Sequence, residues 1–431
     1  MSPKHSESSI TQERNFKLQK YQVFLLIFIS ICIQLVYFAL FQANPMERDA
    51  IPYYDIATHL FSDHGFYLNG VPNVRRPPIY PLFMGIILYF SNHHLEVVRY
   101  GQIVLNTITV LGVYVLGSHF ISKKQAMGAA YLVLFFPPFT LMSFYFVSEG
   151  LATFLLMGVV CTCFLGLKKN KMRFLVCAGL LLALFSLTRP VGLFLMPWLG
   201  GLFFFVFPVK RALKQSVAMG LPFLLVVGMW VVRNYHVTHH FIPVTIGADI
   251  ELWNGSYLPG KGEMEHPLTV EARKKIFEEF GSVPYFDQFK GFRRKALQNI
   301  RENPVGYLSL FPRKFLRLYI GSYGFILNSK VSFQEIFREK LFKKSFSALL
   351  FKGTMVMLSV VFLILGVMGM LRVFKIEGHG WLWIGVFVYW TLIHLPFSPI
   401  QRFSLPLIPL LILFSVVYFG VNRNQEFTYV Q

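Results

Sequence analysis

The sequence predicts an all-α integral membrane protein, a bundle of about ten transmembrane helices, and three observations carry that prediction. Hydrophobic residues make up 55% of the 431-residue chain and charged residues only 14%, whereas a soluble domain carries about a quarter charged residues. The missing charge implies that much of the surface faces lipid. Uncharged apolar runs recur at the length needed to cross about 30 Å of hydrocarbon. The ten-residue alternating segments that mark an outer-membrane barrel do not occur.

Taken in order, the apolar spans fall at 21–41, 97–121, 126–146, 149–167, 174–188, 191–207, 216–232, 350–371, 381–396 and 403–420. The first is too long for a signal-peptide core, and bulky Phe41 stands before Ala43 where cleavage would want a small residue, so it reads as retained. Short basic links follow alternate spans: Lys123–Lys124, "KKNKMR" at 168–173, "KRALK" at 210–214 and "RVFK" at 372–375. Together with Lys4, Arg14, Lys17 and Lys20 they define the cytoplasmic face and put both termini there. The organisation is then a cytoplasmic tail 1–20, an N-terminal transmembrane module 21–232 with its first extracytoplasmic loop at about 42–96, an extracytoplasmic loop 233–349, C-terminal helices 350–420 and a tail 421–431. The net charge of +20 sits between spans, where it orients the chain and meets anionic lipid, and it does not argue for a nucleic-acid partner. Cys32, Cys161, Cys163 and Cys177 all fall inside spans and read as packing residues.

The two outer loops have structure of their own. In "ERDAIPYYDIATHL", residues 47–60, Pro52 suits the first turn of a helix. Tyr53, Ile56, Ala57, Leu60 and Phe61 then share one apolar face, which predicts an interfacial helix holding Asp49 near the membrane. In "VRRPPIYPLFMGIILYF", 74–90, Pro77 extends the backbone at Arg76, and Pro78 or Pro81 starts the next helix. An acid and a guanidinium pair on one outer loop suit base chemistry beside a phosphate. In the long loop, "FIPVTIGADIELWNGSYLPG" reads as extended segments with a turn at Asn254–Gly255. "VEARKKIFEEF", "FRRKALQNIREN" and "PVGYLSLFPRKFLRLYI" read as helices, the last two separated at Pro304. Gln102 and Asn106 lie one turn apart in a span and are expected to bond between helices. Glu96 and Arg99 are expected to pair locally. His236, His239 and His240 have zinc-like spacing but no matching acid or cysteine, so a metal is not assigned to them.

Six short stretches in order then resemble one family. They are "RDAIPYYDIATHL", "RRPPIYPLFMG", "YFVSEG", "SLTRPVGLFLMP", "MWVVRNYHVTHHFIPVTIGADIELWNGS" and "QRFSLPLIPLLIL". Over roughly residues 20 to 420 the chain resembles the GT-C superfamily of membrane glycosyltransferases. The likeness is to bacterial relatives of dolichyl-phosphate-mannose–protein mannosyltransferases and to lipid A aminoarabinose transferases. The resemblance implies a GT-C-like bundle with an interfacial first loop and a long, mainly helical extracytoplasmic loop. It implies transfer of a sugar from a polyprenyl-phosphate donor to a glycan, lipid or protein acceptor on the outer face of a bacterial inner membrane. Asp49 would be the catalytic carboxylate and Glu149 a second acid lining the cavity. Arg76, Arg75, Tyr53, Tyr80, Arg189, Arg233 and Arg402 would contact donor phosphate or sugar. Where some relatives carry a basic residue just before the first-loop tyrosine, this chain has Pro52, so that contact comes from Arg48 or Arg75 or is not made. The resemblance assigns no particular cofactor and leaves open a divalent cation between Asp49 and Glu149, since members of the superfamily differ in metal use. The competing readings are a lipid-linked-sugar transporter or flippase, and a glycan polymerase or ligase. Against the first, the acids and most of the arginines gather at one face and no second half mirrors the first. Against the second, those enzymes lack the first-loop Asp with the Pro-Pro-x-Tyr-Pro motif.

Overall fold

The computed structural model describes residues 3–40, 49–61, 65–68, 70–281, 283, 285–321, 342–376 and 378–421. The first helix, α1 (Pro3–Leu40), contains the apolar segment Lys20–Ala39. After it come α2 (Ala50–His59), a two-stranded antiparallel ribbon pairing Tyr67 with Pro72, and α3 (Ile79–Phe90). The bundle continues with α4 (Leu95–Gly117), α5 (Lys123–Phe135), α6 (Pro137–Leu141), α7 (Glu149–Lys168), α8 (Met172–Ser186), α9 (Leu195–Val206) and α10 (Val209–Thr238). The long loop between α10 and the C-terminal helices supplies α11 (Ala248–Ser256), α12 (Pro267–Glu279), α13 (Tyr285–Glu302), α14 (Pro304–Ser309) and α15 (Phe311–Tyr319). The chain closes with α16 (Phe342–Ile376), α17 (Trp381–His394), a 3-10 segment Gln401–Leu407 and α18 (Ile408–Gly420).

Six helical segments are long and apolar enough to cross a membrane, seven if one bent pair counts as a single span. Met172–Ser186, Pro190–Val206 and Trp381–His394 are shorter apolar helices, as is Ile79–Phe90 in the first loop. Helical structure therefore covers each apolar segment expected from the sequence, while among the described residues the helices long and apolar enough to span number six or seven.

The segment 126–146 departs from the single span expected. It bends by 60° between Lys123–Phe135 and Pro137–Phe144. Phe136 is extended (φ −76°, ψ 105°), as a residue before proline prefers, and Pro137 and Pro138 remove two helix donors. The carbonyls freed beyond the bend are met by side chains of α4. Gln102 Nε2 donates to Ser143 O (2.7 Å) and Tyr145 O (3.1 Å), Asn106 Nδ2 to Phe139 O (3.3 Å) and Arg99 Nε to Phe144 O (3.2 Å). Irregular backbone among apolar helices survives only when its polar groups are satisfied in this way. Gln102 and Asn106 thus serve the backbone of a broken helix, and Arg99 also holds the expected pair with Glu96 at 2.8 Å.

A second departure lies in the outer loop. Residues 248–256, read as extended with a turn at Asn254–Gly255, form helix α11. Burial overrides the local turn signal: Trp253 stacks on Tyr257 and meets Phe292 edge-on, and Asn254 and Gly255 are sealed beneath. Gly247, at φ 122°, makes the entry that the extended reading took for strand. Trp253, Ile276, Phe292 and Ala296 form a small core that ties α11, α12 and α13 together, separate from the main core of the bundle. The remaining outer helices form where expected, with the break before Pro304 capped by the Asn303 side chain.

Candidate functional site: a chain of carboxylates and arginines

Two acids open two helices. Asp49 occupies the N-cap position of α2, and Glu149 is the first residue of α7. A helix N-terminus favours a negative charge, but the Asp49 side chain makes no cap bond. Its oxygens go to arginines instead: Arg76 Nη2 donates to Oδ1 at 3.0 Å and Arg402 Nη2 to Oδ2 at 2.8 Å. The Nε of Arg402 donates to Glu149 Oε1, and Arg189 Nη1 lies 2.9 Å from that same oxygen without the alignment of a hydrogen bond. The result is one continuous chain, Arg76–Asp49–Arg402–Glu149–Arg189, of two carboxylates and three guanidiniums. Burial is deepest at Glu149. The Asp49 side chain is 33% exposed, Arg402 22%, Arg189 15% and Glu149 0%.

Local sequence explains how each member is aimed. Asn73 Oδ1 accepts from the backbone N–H of Arg75 (3.0 Å) and of Arg76 (3.2 Å), and its Nδ2 donates to Arg76 O (3.1 Å). That Asx turn, followed by Pro77 and Pro78, fixes the backbone from which Arg76 reaches Asp49. The Arg76 guanidinium also lies 5.2 Å from the Tyr53 ring, on the buried face of α2. Arg189 is extended before Pro190, with its guanidinium 5.3 Å from the Phe403 ring. Arg402 projects from the 3-10 turn that precedes α18.

Burial by itself would raise the Asp49 carboxyl, but the positive charges of Arg402 and Arg76, with their hydrogen bonds, outweigh it and hold it below the ordinary value. The sequence reading treats Asp49 as a carboxylate ready to take a proton; the structure gives it two guanidinium partners. Glu149 itself packs beside Asn106, Phe139, Met142, Thr153 and Leu405, with no space between them large enough for a water molecule. Glu149 Oε2 and Asn106 Oδ1 are buried there without hydrogen-bond partners.

The other residues singled out in the sequence lie outside this chain of charges. Tyr80 is buried and donates to Gln102 Oε1 at 2.8 Å, with its ring 4.9 Å from that of Tyr53. Burial pushes the Tyr53 hydroxyl up. Arg75 is exposed. Arg233 donates to Asn73 O (2.8 Å) and Phe66 O (3.0 Å) and lies 4.8 Å from the Trp230 ring, so it ties the end of α10 to the first loop. Arg48 lies outside the described residues. His239 is the left-handed C-cap of α10, and His240 stacks on Phe286. Among the described residues no group of three His, Cys, Asp or Glu side chains gathers to hold a metal. Asp49 and Glu149 do not fit a shared cation, because the Arg402 guanidinium bridges them. Asn73 escaped the sequence reading; an Asn three residues before Arg-Pro-Pro was its signal.

The fold and this chain of charges together describe a bundle of apolar helices with a cluster of carboxylates and arginines at its helix ends. Residues 75–232 match the family described as dolichyl-phosphate-mannose-protein mannosyltransferase, a stretch that includes Arg76, Glu149 and Arg189 but neither Asp49 nor Arg402. No curated protein matches the chain in sequence. Among solved structures it is similar to the oligosaccharyltransferase AglB of Archaeoglobus fulgidus in complex with an inhibitory peptide and a dolichol-phosphate. That match has a TM-score of 0.55 at 16% identity and covers 94% of this chain and 50% of that one. The apo form of the Archaeoglobus fulgidus oligosaccharyltransferase aligns with a TM-score of 0.56 at 16% identity, covering 94% and 51%. Its complex with zinc and sulfate aligns at 0.52 and 14%, covering 92% and 49%. The chain spans about half the length of these structures, and at such identity the likeness speaks for the fold.

Proposed function

We propose that this protein is a membrane glycosyltransferase that moves a sugar from a polyprenyl-phosphate donor to an acceptor on the extracytoplasmic face of a bacterial inner membrane. In this reading the ten apolar segments all cross, both termini are cytoplasmic, and residues 42–96 and 233–349 lie outside. The observation that carries it is the chain Arg76–Asp49–Arg402–Glu149–Arg189 at one end of a bundle of apolar helices. The matched mannosyltransferase family and the dolichol-phosphate held by the Archaeoglobus neighbour support a lipid-linked donor.

The chemistry follows from the charges. Three guanidiniums against two carboxylates leave one positive charge over, which suits a lipid phosphate. A phosphate seated on Arg76 and Arg402 competes with Asp49 for the same N–H groups. As those bonds transfer to the phosphate, the carboxylate loses the influences that depress its basicity. Asp49 then takes the proton of the attacking hydroxyl or amine. The acceptor atom bonds to the anomeric carbon, the bond from that carbon to the phosphate oxygen breaks, and its electron pair leaves on the phosphate. Guanidiniums at the departing oxygen stabilise the developing charge. Attack opposite the leaving phosphate inverts the anomeric centre. Arg189, 2.9 Å from Glu149, anchors that carboxylate beneath Arg402 and so helps to hold the Arg402 guanidinium in place. Arg75, Arg233, Tyr53 and Tyr80 act in this scheme by shaping the first loop around Arg76.

The test incubates purified full-length protein with a panel of polyprenyl-phosphate sugars and follows release of polyprenyl phosphate. Wild type is expected to turn over at least one donor, and Asp49→Asn to lose about 10²-fold or more, the usual worth of a positioned base. Near-normal turnover by Asp49→Asn removes the base assignment. Movement of sugar-lipid across vesicles without phosphate release replaces the enzyme by a transporter.

A further inference from the structure

Arg402 is the hub of the charge chain, yet its own backbone has little to hold it. Between the end of α17 at His394 and the 3-10 turn from Gln401 the chain is irregular: the Leu395 N–H bonds Thr391 O and the Phe397 N–H bonds His394 O, and no regular helical ladder continues through residues 398–400. Contacts from outside must set where this segment lies.

Those contacts come from the long loop, and they reach residues 395–398 and Gln401. Lys314 Nζ donates to Leu395 O (3.0 Å) and Pro396 O (3.4 Å). The Tyr307 hydroxyl donates to Pro396 O at 2.9 Å. At Gly255 an added Cβ would stand 2.5 Å from both C and O of Phe397, so α11 presses its bare backbone on the segment. The Ser398 hydroxyl donates to Glu251 Oε2, also on α11. Gln401 Nε2 donates to Gly321 O (2.9 Å), just beyond α15. The next residue is Arg402.

Lys314 is the least expected member. Its side chain is fully buried, and among the described residues no carboxylate pairs with it. Its surroundings are the two carbonyls and the rings of Tyr307 and Phe311, at 4.7 and 5.4 Å. A cationic group taken out of water without a counter-charge is costly. Its only polar return here is the grip on Leu395 and Pro396.

We propose that the outer loop is a positioning device for the site: Lys314, Tyr307, Glu251 and Gly255 clamp residues 395–398 and thereby fix Arg402 between Asp49 and Glu149. The proposal rests on the glycosyltransferase reading for its purpose and on geometry for its substance. Outer-loop movement, as when an acceptor docks there, is transmitted to the phosphate-binding guanidinium through this backbone. Lys314 and Tyr307 are positioning residues; neither belongs to the charge chain.

A double-mutant cycle tests it. Lys314→Met and Arg402→Gln are made singly and together in the full chain, and affinity for C55 polyprenyl phosphate is measured in detergent. Lys314→Met is expected to weaken binding about tenfold when Arg402 is present and less than about twofold when it is Gln, as coupled sites behave. A residue that only stabilises the fold would lower affinity equally in both backgrounds, and that result, or no loss at all, overturns the proposal. Tyr307→Phe and Ser398→Ala, each removing one hydrogen bond, run through the same cycle if Lys314→Met does not fold. Failure of wild type to bind polyprenyl phosphate sinks the functional reading instead. The clamp is then decided by the ligand-free cycle of melting temperatures, where strictly additive losses overturn it and sub-additive losses support it.

Discussion

Carboxylate–arginine pairs occur in two regions of this molecule, and the same chemistry has opposite consequences in each. In the outer region, Arg293 meets Asp249 at 2.8 Å with its own side chain 60% exposed. Arg313 meets Glu263 at 2.7 Å, half in solvent. Water and salt screen such pairs, and each contributes about 0–1 kcal/mol. At the end of the bundle, Glu149 is wholly buried and held by Arg402 and Arg189, with Asp49 sharing Arg402. There the members cannot be separated cheaply, because a partner left behind is an uncompensated charge in a poor solvent. The lesson is that an ion pair's worth is set by what surrounds it. The costly pairs stand where a phosphate is proposed to bind and the cheap ones stand where the loop meets water.

The comparison breaks most visibly at Arg402. Arg402→Gln strands Glu149 against Arg189 alone and is expected to cost about 3–5 kcal/mol. The readout is melting temperature in detergent and folded yield, and a loss no greater than that of Arg293→Gln would erase the distinction between the regions. Arg76→Gln sits at the exposed end of the chain, 30% accessible. It is expected to spare stability while weakening polyprenyl-phosphate binding about tenfold or more, the scale of a charge-assisted bond. A smaller effect separates Lys314 from both regions. Burial pushes its amine down to about 7 from an ordinary 10.5. Between those values the unfolded chain binds a proton that the folded chain does not, so folding stability rises with pH across that window. The melting temperature of wild type relative to Lys314→Met is therefore expected to climb from pH 7 towards pH 10. A flat difference would mean that Lys314 keeps its proton. Smallest of all, Arg293→Gln is expected to change stability by less than about 1 kcal/mol and to lose even that in high salt.

Much of this was legible in the sequence, for identifiable reasons. The hydropathy of the spans needs no partner to be read, because each run is apolar by itself. Of the α2 face expected from spacing, Tyr53, Ile56 and Ala57 are buried, whereas the helix stops at His59, leaving Leu60 half-buried and Phe61 exposed. The bend after Phe135 was written in Pro137 and Pro138, yet the apolar run through them reads as one span unless proline geometry outweighs hydropathy. Helix α11 was hidden because Asn254–Gly255 signals a turn locally, and only the packing of Trp253 on Phe292 reverses that preference. Asp49, Arg76, Glu149, Arg189 and Arg402 were all picked out one by one, but nothing in the sequence said that they touch.

By itself the sequence determined that this chain is a helical membrane protein and that a handful of charges sit at the ends of its apolar segments. Those are properties of a residue and its near neighbours, fixed by hydrophobicity and backbone chemistry. Tertiary structure alone decided that Arg402 bridges Asp49, 353 positions away, to Glu149, 253 positions away. It also decided that Arg233 spends its guanidinium on loop carbonyls, and that a lysine of the outer loop grips the backbone leading to Arg402. Pairings over such separations depend on how the helices pack and on which polar groups burial leaves to satisfy one another, and neither is a local property of the chain.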